Sequence, residues 1–227
     1  MNIFIGMEAS GALRRAFEAC GHDVVSCDLR ASYDGAANHI IGDVFETLAL
    51  FADGWFDLAI FHPDCTFLTG SAEWAYGNGP YHQKVKHETL VGEARREARR
   101  EAVKTASACL ASRKARSRVI ENPVGHLSSA IGKPFQIVQP YNFGDDASKK
   151  TCFWQAGKVV PHLVSTKFVA PRLVNGLPRW GNQTDSGQNK LSPSAERWSA
   201  RSDFPAGLSS AIADQWGRWI SAWYENE

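Results

Sequence analysis

The sequence lacks any run of about 18 consecutive apolar residues, the length at which a segment becomes a candidate membrane-spanning helix. It also lacks, near its start, a basic stretch followed by an apolar one. We therefore expect no signal peptide, a cytoplasmic protein and no membrane partner. The 227 residues are 44% hydrophobic, which is enough for one sizeable core and predicts a single domain over 1–227.

Cysteine is sparse and irregularly spaced, with five residues, an odd number, and no C-x-x-C pair. This pattern argues against a disulfide framework and a zinc site, and we expect no metal. A metal hydrolase built on His62, His82 and His87 is the least favoured function, because their spacing is irregular. Isolated cysteines are mostly small buried hydrophobic residues, although one of them can serve as a nucleophile. The five are Cys20, Cys27, Cys65, Cys109 and Cys152.

Charge is nearly balanced overall, at +1, but it is unevenly distributed. Residues 84–118 contain eleven Lys or Arg and four Glu, a net charge of +7, so the rest of the chain carries −6. Such a segment favours contact with a polyanion. The alternative is a solvated helix in which Glu93, Glu97 and Glu101 pair with neighbouring arginines. The excess of arginine favours the first interpretation.

Short apolar runs alternate with helical patterns along most of the chain. Strands are predicted over 2–6, 23–29, 38–44, 56–62, 117–123, 135–140 and 150–154, and helices over 10–22, 45–54, 91–112 and 207–225. Ser10 is a candidate N-cap for the first helix and Gly21 its stop. In the last helix, Trp216, Trp219 and Trp223 share one face, which indicates core packing. The alternation predicts an α/β protein with a parallel sheet.

Chemically capable residues follow several of the predicted strands. Ligands of open parallel sheets bind beyond the carboxyl ends of the strands, so these residues are expected along one edge. Gly6 and Gly11 surround a tight turn suited to close approach of a ligand at a helix N-terminus. Asp28 is placed for ribose hydroxyls and Asp43 for an adenine amine, although Asp43 could equally cap the next helix. Together they predict an adenosine site.

Three further residues have the chemistry of a catalytic site. Cys65 follows the fourth strand, where a thiol is exposed enough to act as a nucleophile. Glu121 ends the buried fifth strand, where burial raises a carboxyl pKa and lets the group share a proton with a base. Asn122 could hold a loop or a ring substituent. The structural alternatives are a merely buried Cys65, a Glu121 paired with an arginine, and a strand that simply ends at Pro123.

The order of these motifs resembles that of the DNA cytosine-C5 methyltransferases. The matching segments are, in chain order, "FIGMEASG", "CDL", "GDV", "HPDCTFL", "IENPVG", "FGDDASKKTCFW" and the last helix, "FPAGLSSAIADQWGRWI". The resemblance covers roughly 1–154 and 203–223 and is greatest to the compact phage and prophage members. It implies an α/β, S-adenosylmethionine-dependent class I methyltransferase-like (Rossmann-like) fold, with a mostly parallel sheet and flanking helices.

The resemblance also implies a mechanism and a set of site residues. Cys65 attacks C6 of a cytosine flipped out of DNA, Glu121 contacts the N3 edge of the ring with Asn122 beside it, and C5 then accepts a methyl group. A base then removes the C5 proton, and the bond between Cys65 and C6 breaks. The residues implied to bind the cofactor, S-adenosylmethionine, are Gly6, Glu8, Ser10, Gly11, Asp28, Leu29, Asp43, Val44, His62 and Pro63. Those implied to bind the substrate are Thr66, Lys149, Lys150, Arg172 and Arg179.

The chain departs from the family pattern around the cysteine and in the basic cluster. Asp64 replaces the usual proline before Cys65, and an adjacent acid raises a thiol pKa. Thr66 replaces the usual glutamine after it, and Glu8 interrupts the glycine loop. The family's Gln, Arg and Arg positions fall on Ala147, Lys149 and Thr151. One positive charge therefore remains where the family has two.

The family's large recognition domain is also reduced. About fifty residues, 155–206, separate the basic cluster from the last helix. We expect a small insertion there, with Arg172, Arg179 and Trp180 available to DNA. Such an insertion predicts relaxed sequence specificity or a substrate smaller than DNA.

Other functions stay open. One is the same C5 chemistry on a free pyrimidine nucleotide or with a modified donor group. Another is a catalytically inactive module that binds the cofactor and nucleic acid, which Asp64, Ala147 and Thr151 favour. A nucleoside-binding oxidoreductase is disfavoured because G-x-G-x-x-G is absent.

Overall fold

A seven-stranded sheet forms the centre of the protein. The structure, a computed structural model, describes residues 1–70, 72–81, 85, 89–191 and 203–224. The strands are β1 (Asn2–Gly6), β2 (Asp23–Asp28), β3 (His39–Ile41), β4 (Phe56–Phe61), β5 (Ala115–Pro123), β6 (Gln136–Val138) and β7 (Thr151–Gly157). Their order in the sheet is β3-β2-β1-β4-β5-β7-β6. A separate hairpin consists of β8 (Arg172–Val174) and β9 (Leu177–Arg179).

Helices flank the sheet. They are α1 (Ala12–Ala19), α2 (Val44–Ala49), α3 (Gly92–Ala111), α4 (Leu127–Ala130) and α5 (Ala206–Tyr224), with 3-10 turns at Glu73–Tyr76 and Pro140–Asn142. None of the helices in the described part of the chain is long and apolar enough to cross a membrane.

The first five strands run parallel to one another, so their carboxyl ends meet at one edge of the sheet. β7 lies antiparallel between β5 and β6. This order, with a reversed strand near one edge, is typical of the class I methyltransferase fold. The predicted fold class, a mostly parallel α/β sheet with flanking helices, is confirmed.

The sheet is covered on both faces, and its central strands are apolar at successive positions for that reason. Ile5 points to one face and joins Leu13 of α1 and Trp216 of α5 in one core cluster. Phe4 points to the other face and joins Cys109 of α3 in a second cluster. The predicted core role of the three α5 tryptophans is confirmed, because the other two pack against the first cluster.

The structure corrects two predicted boundaries. The residue at the N-cap of α1 is Gly11, with a φ of +70°, rather than Ser10. A residue with a side chain is strained at that angle, whereas glycine adopts it readily. β7 continues to Gly157, and Val160 and Leu163 join the core. The segment beyond the sheet therefore begins later than residue 155.

Candidate active site

The carboxyl ends of β1, β4 and β5 lie side by side and carry the centre of the site. Gly6 of β1 pairs with Phe61 of β4, and Phe61 pairs with Ile120 of β5. His62 follows β4 and donates its amide to the carbonyl oxygen of Gly6 (3.0 Å). This register sets His62 beside Glu121, one position beyond the last β4–β5 pair. The structure thus brings the first, fourth and fifth predicted strand ends together.

Cys65 lies in a tight turn four residues beyond β4. Its carbonyl oxygen accepts hydrogen bonds from the amides of Leu68 and Thr69, both at 3.0 Å. Asp64 accepts from the amide (2.9 Å) and the hydroxyl (2.7 Å) of Thr66. The Thr66 hydroxyl, predicted to bind substrate, is therefore engaged by Asp64. Cys65 is half-buried as a residue.

The surroundings of the Cys65 thiol disfavour the thiolate. Burial is the largest cause that raises its pKa above the ordinary value of a cysteine, and the negative charges of Asp64 and Glu121 raise the pKa further. Lys149 acts in the opposite direction. The expectation that Asp64 raises the thiol pKa is confirmed. The thiol is therefore the favoured form of Cys65 in this environment.

Glu121 is buried at the end of β5, with one oxygen paired and the other without a partner. Its Oε2 lies 3.1 Å from Nδ1 of His62, whereas Oε1 has no hydrogen-bond partner among the described residues. Burial acts to raise the carboxyl pKa, but the His62 hydrogen bond and the charge of Lys149 outweigh it and lower the pKa. The predicted raised pKa is wrong, because the sequence does not show the His62 contact. The open Oε1 indicates a site for a donor group of a ligand.

Asn122 ties β5 to the segment that leads into Cys65. Its buried side-chain amide donates to the carbonyl oxygen of Pro63 (2.8 Å). Its Oδ1 is buried and has no hydrogen-bond partner within the described part of the chain. Of the two roles considered for Asn122, holding a loop and contacting a ring, the structure shows the first.

Lys149, in the loop before β7, is a basic residue that the structure brings to this cluster. Its charge acts on both Cys65 and Glu121. Lys150 is exposed, and its charge acts on the buried Cys152 instead. Of the two lysines predicted to contact the substrate, Lys149 is therefore the one whose charge acts on Cys65 and Glu121.

The turn between β1 and α1 holds a buried carboxylate. Met7 adopts a φ of +63°, a strained angle for a residue with a side chain. Glu8 is 6% exposed, and its Oε1 accepts from the hydroxyl of Ser10 and the amide of Ala12. Its Oε2 is buried without a partner among the described residues. An open carboxylate oxygen at this edge fits a positively charged hydrogen-bond donor of a ligand.

Two predicted cofactor residues follow β2. Asp28 ends this strand and accepts, through Oδ1, from the amide (2.9 Å) and the guanidinium (3.2 Å) of Arg30. Leu29 is 75% exposed beside it. Both lie at the carboxyl edge, and Asp28 is held in place by Arg30.

The third predicted acid does not end a strand. β3 ends at Ile41, and Asp43 is exposed at the N-cap of α2. Its Oδ1 accepts from the amides of Phe45 (2.8 Å) and Glu46 (3.1 Å). The alternative considered from the sequence, that Asp43 caps the next helix, is the arrangement that the structure shows.

Gly6 is required by packing within the protein. A Cβ at this position would lie 2.7 Å from the ring of Phe61 and 2.9 Å from the side chain of Val44. Val44, predicted to bind the cofactor, is buried in that contact. Both glycines predicted to admit a ligand are therefore explained by the fold itself. Gly6 is needed for this packing, and Gly11 adopts the positive φ that precedes α1.

Two residues that the sequence argument did not select close this edge from the other side. The ring of Phe204, just before α5, contacts the ring of His62 with the centroids 5.1 Å apart. The pKa of the neighbouring Asp203 is raised, first by burial and then by the charge of Glu8. The signal was present, because the segment "FPAGL" belongs to the motif matched to the family's last helix.

The two arginines of the β8–β9 hairpin and the tryptophan that follows it contact groups of their own region. Arg172 pairs with the side chain of Asp185, and Arg179 donates to the backbone carbonyl oxygen of the same residue (3.1 Å). Trp180 is stacked on Tyr141, with ring centroids 4.1 Å apart, and is 9% exposed. All three side chains predicted to face DNA are thus used within this region.

The basic side chains of α3 are engaged inside the protein. The ion pairs are Arg96–Glu93, Arg99–Glu73, Arg100–Glu93, Arg100–Glu97 and Lys104–Glu101. Arg95 is 7% exposed and lies over the rings of Phe67 and Tyr76, which follow Cys65 in the chain. This arrangement corresponds to the alternative of a helix stabilised by Glu–Arg pairs, and α3 braces the loop behind Cys65.

Within the described residues, no group of three or more His, Cys, Asp or Glu side chains is arranged to hold a metal ion. The ring of His62 contacts Glu121 and Phe204. The residues that received roles from the sequence but lie outside the described residues are His82, Lys84, Lys86, His87 and 192–202.

Comparison with known proteins does not assign this chain to a family. No protein-family model and no curated protein matches the chain. A solved structure that matches is that of a protein encoded within a prophage (E. coli) and described as a candidate DNA modification methyltransferase. The two chains are 14% identical, with a TM-score of 0.40 over 68% of this chain and 46% of that chain. The chain thus spans less than half the length of that neighbour, and a likeness this distant carries no argument about function.

Proposed function

We propose that this protein transfers a methyl group from S-adenosylmethionine to C5 of cytosine in DNA, through a covalent bond between Cys65 and C6 of the base. The observation that carries the proposal is the convergence of Cys65, Glu121, Asn122 and Lys149 at the carboxyl edge of the sheet. The order of these residues along the chain also supports it, since it resembles that of the cytosine-C5 methyltransferases.

Residues at the first two strand ends would hold the cofactor. The open Oε2 of Glu8 suits its ammonium group, and Asp28, held by Arg30, suits its ribose hydroxyls. When bound, the cofactor supplies an electrophilic methyl group on its sulfonium. Phe204 is buried against His62 at the same edge and would exclude water from it.

Cys65 is the nucleophile in this proposal. C5 of cytosine is not nucleophilic by itself, and attack of a thiolate on C6 gives it that character. The positive charge of Lys149 opposes the burial and the neighbouring acids that raise the thiol pKa. The buried bond between Asn122 and Pro63 keeps the turn of Cys65 at a set distance from β5.

Glu121 and Asn122 orient the base. The open Oε1 of Glu121 is available to the N3 edge of the ring, and the open Oδ1 of Asn122 to its exocyclic amine. In duplex DNA, the cytosine reaches these atoms only after it is flipped out of the stack.

One observation favours a second function, a cofactor-binding module without catalysis. Burial, Asp64 and Glu121 all raise the pKa of Cys65, against the single opposing charge of Lys149.

A different observation favours the same chemistry on a free nucleotide. The arginines of α3 pair with acids of the protein itself, which weakens the case for a polymeric substrate.

The test uses S-adenosylmethionine with a labelled methyl group and three substrates: duplex DNA, single-stranded DNA and free deoxycytidylate. The variants are Cys65→Ala and, as a matched control, Cys20→Ala at an exposed cysteine. We expect label in DNA with wild type and Cys20→Ala and none with Cys65→Ala. Label only in deoxycytidylate makes the protein a nucleotide enzyme. Cofactor binding without label in any substrate supports the inactive module.

A further inference from the structure

The segment that follows the β8–β9 hairpin is fastened to the loop that carries Lys149. The side-chain amide of Asn182 donates to the carbonyl oxygen of Ser148 (3.0 Å), and its Oδ1 accepts from the amide of the same residue (2.9 Å). Both polar ends of one side chain are thus engaged with the backbone of one residue. Because Ser148 directly precedes Lys149, these two hydrogen bonds hold the chain next to the lysine.

Further contacts hold the segment around Asn182 in place. The amide of Gly181 donates to the carboxylate of Asp146 (2.7 Å), in the same loop as Lys149. A Cβ at Gly181 would collide with that carboxylate, so the two chain segments lie against each other. The ring of Trp180 is stacked on Tyr141, with centroids 4.1 Å apart. The Asn182 side chain therefore projects from a well-packed segment.

The loop is also bonded to the domain that carries the sheet. The amide of Lys149 donates to the side-chain oxygen of Gln139 (3.0 Å). Asp145 accepts from two amides in the first turn of α5 (2.9 and 3.0 Å). The loop thus lies between the sheet domain and the segment that follows the hairpin, and Asn182 supplies contacts to it from the hairpin side.

The position of the loop matters because of the charge that it carries. Among the described residues, the charges that act on the Cys65 thiol are those of Asp64 and Glu121, which raise its pKa together with burial, and that of Lys149, which lowers it. An interaction between charges weakens as their distance grows. A displaced loop would therefore remove the one charge that favours the thiolate.

We propose that Asn182 is a positioning residue for Lys149. It clamps the loop through the backbone of Ser148 and so keeps the lysine charge where it promotes the nucleophilic form of Cys65. The inference rests on the proposed function in that Cys65 is taken as the nucleophile. It gives the residues that follow the hairpin a role in the reactivity of the site.

The first test is alkylation by iodoacetamide at pH 7, read at each cysteine by mass spectrometry, with the exposed Cys20 as the internal reference. The rate follows the fraction of thiolate. We expect Cys65 to react roughly 3- to 10-fold more slowly in Lys149→Met and at least about 2-fold more slowly in Asn182→Ala. A merely loosened turn would expose the thiol and speed the reaction. An unchanged or faster reaction in either variant overturns the proposal.

The double variant separates positioning from a general effect on structure. If Asn182 acts through the lysine charge, Asn182→Ala changes the alkylation rate of Cys65 no further in a Lys149→Met background, because the charge is already gone. An equal slowing by Asn182→Ala in both backgrounds overturns the role assigned to it.

Two control variants should match wild type in alkylation. Ser148→Ala keeps both hydrogen bonds to Asn182, since its backbone makes them. Asn189→Ala removes the same kind of side chain from the same segment, where its Oδ1 accepts from the amide of Leu191 (2.9 Å). A slowing in either control as large as that in Asn182→Ala overturns the proposal.

Methyl transfer gives a second readout. In Asn182→Ala we expect kcat for transfer to DNA to fall by about the same factor as the alkylation rate, with KM for S-adenosylmethionine unchanged. A change confined to KM overturns the proposal. If Asn182→Ala does not fold, Asn182→Gln replaces it, since the extra methylene moves the amide out of place against Ser148. Absence of methyl transfer by wild type to any cytosine substrate overturns the proposed function, while the alkylation rates still decide the role of Asn182.

Discussion

The side-chain amide of Asn122 donates to the backbone carbonyl oxygen of Pro63 across 2.8 Å, in a buried contact between β5 and the end of β4. Pro63 lies two residues before Cys65, and Asn122 directly follows Glu121. One hydrogen bond therefore connects the two chain segments that carry the nucleophile and the buried acid. The relative position of these two groups, on which the proposed chemistry depends, is set largely by this bond and by the β4–β5 register.

Asn122→Ala should destabilise the protein and slow methyl transfer. The variant leaves the buried carbonyl oxygen of Pro63 without its donor, which costs about 1–3 kcal/mol in the free energy of unfolding. Urea denaturation measures the change. Ser210→Ala is the control, because this exposed hydroxyl bonds only within its own helix, and its effect should stay within about 0.5 kcal/mol. Equal effects of the two substitutions would contradict the role assigned to Asn122.

Gly125→Ala should destabilise the protein by pushing the backbone at residue 125 away from that of Leu68, in the turn that follows Cys65. A Cβ at Gly125 would lie 2.0 Å from the carbonyl oxygen of Leu68, which also accepts from the amide of His126 (2.7 Å). We expect the free energy of unfolding to fall by about 1–3 kcal/mol, because the backbone has to move apart. Gly70→Ala is the matched control, since a Cβ there meets nothing within 4 Å. A larger loss for Gly70→Ala would show that this close approach does not matter.

Asp64→Asn should make the Cys65 thiol more reactive. The substitution removes a charge that raises the thiol pKa, while the remaining side-chain oxygen still accepts from Thr66. The lower thiol pKa increases the thiolate at neutral pH, and we expect alkylation of Cys65 to be roughly 3- to 10-fold faster. Alkylation by iodoacetamide, read at each cysteine by mass spectrometry, measures this change. The exposed Cys20 is the internal reference, and an unchanged ratio of the two rates would refute the prediction.

Asp34→Asn should destabilise the protein in a pH-dependent way. Asp34 accepts from Ser32, Arg14 and Arg15, and the pKa of its carboxyl is held well below the ordinary range, first by the Ser32 hydrogen bond and then by the two arginines. Because the folded-state pKa is depressed, this stabilisation is present above the unfolded pKa of about 4 and is lost as the pH falls through the folded-state pKa.

The expected result is a constant difference in the free energy of unfolding between wild type and Asp34→Asn from pH 7 down to about pH 4. Below that pH the difference should shrink, because the Asp34 carboxyl of the unfolded wild-type chain begins to accept a proton while that of the folded protein stays ionised. Urea unfolding at a series of pH values measures it. A difference at pH 3 as large as that at pH 7 would exclude the ionised carboxylate as the cause.

The strands and the long helices could be predicted because their signals are local. The apolar run of β4 and the arginine- and alanine-rich pattern of α3 appear within the sequence of each element. The residues at the rim could be predicted for the same reason, since any residue that follows a parallel strand lies at the carboxyl edge. The roles of Ser10 and Asp43 were predicted less well. Whether a residue caps a helix depends on the exact residue at which the helix begins, and the sequence pattern does not give that position.

The partners of the site residues could not be predicted. His62 and Glu121 are 59 positions apart, and the sequence offered an arginine as the partner of that acid. From the sequence, the arginines of α3 favoured a basic surface free to contact a polyanion. In the fold, Arg99 pairs with Glu73, and Arg95 lies over two rings that follow Cys65 in the chain. Likewise, Phe204 meets His62 only because α5 packs back against the sheet.

The sequence by itself therefore determined the elements, their parallel order and the edge at which the chemistry lies, because hydrophobic periodicity and chain direction decide these locally. The tertiary structure alone decided which charges face one another. It lowered the pKa of Glu121 in spite of burial, raised that of Cys65, and paired Arg99 of α3 with Glu73. The reason is physical: the energy of a charge depends on its distance and burial relative to groups far away in the chain, and only the folded packing sets these.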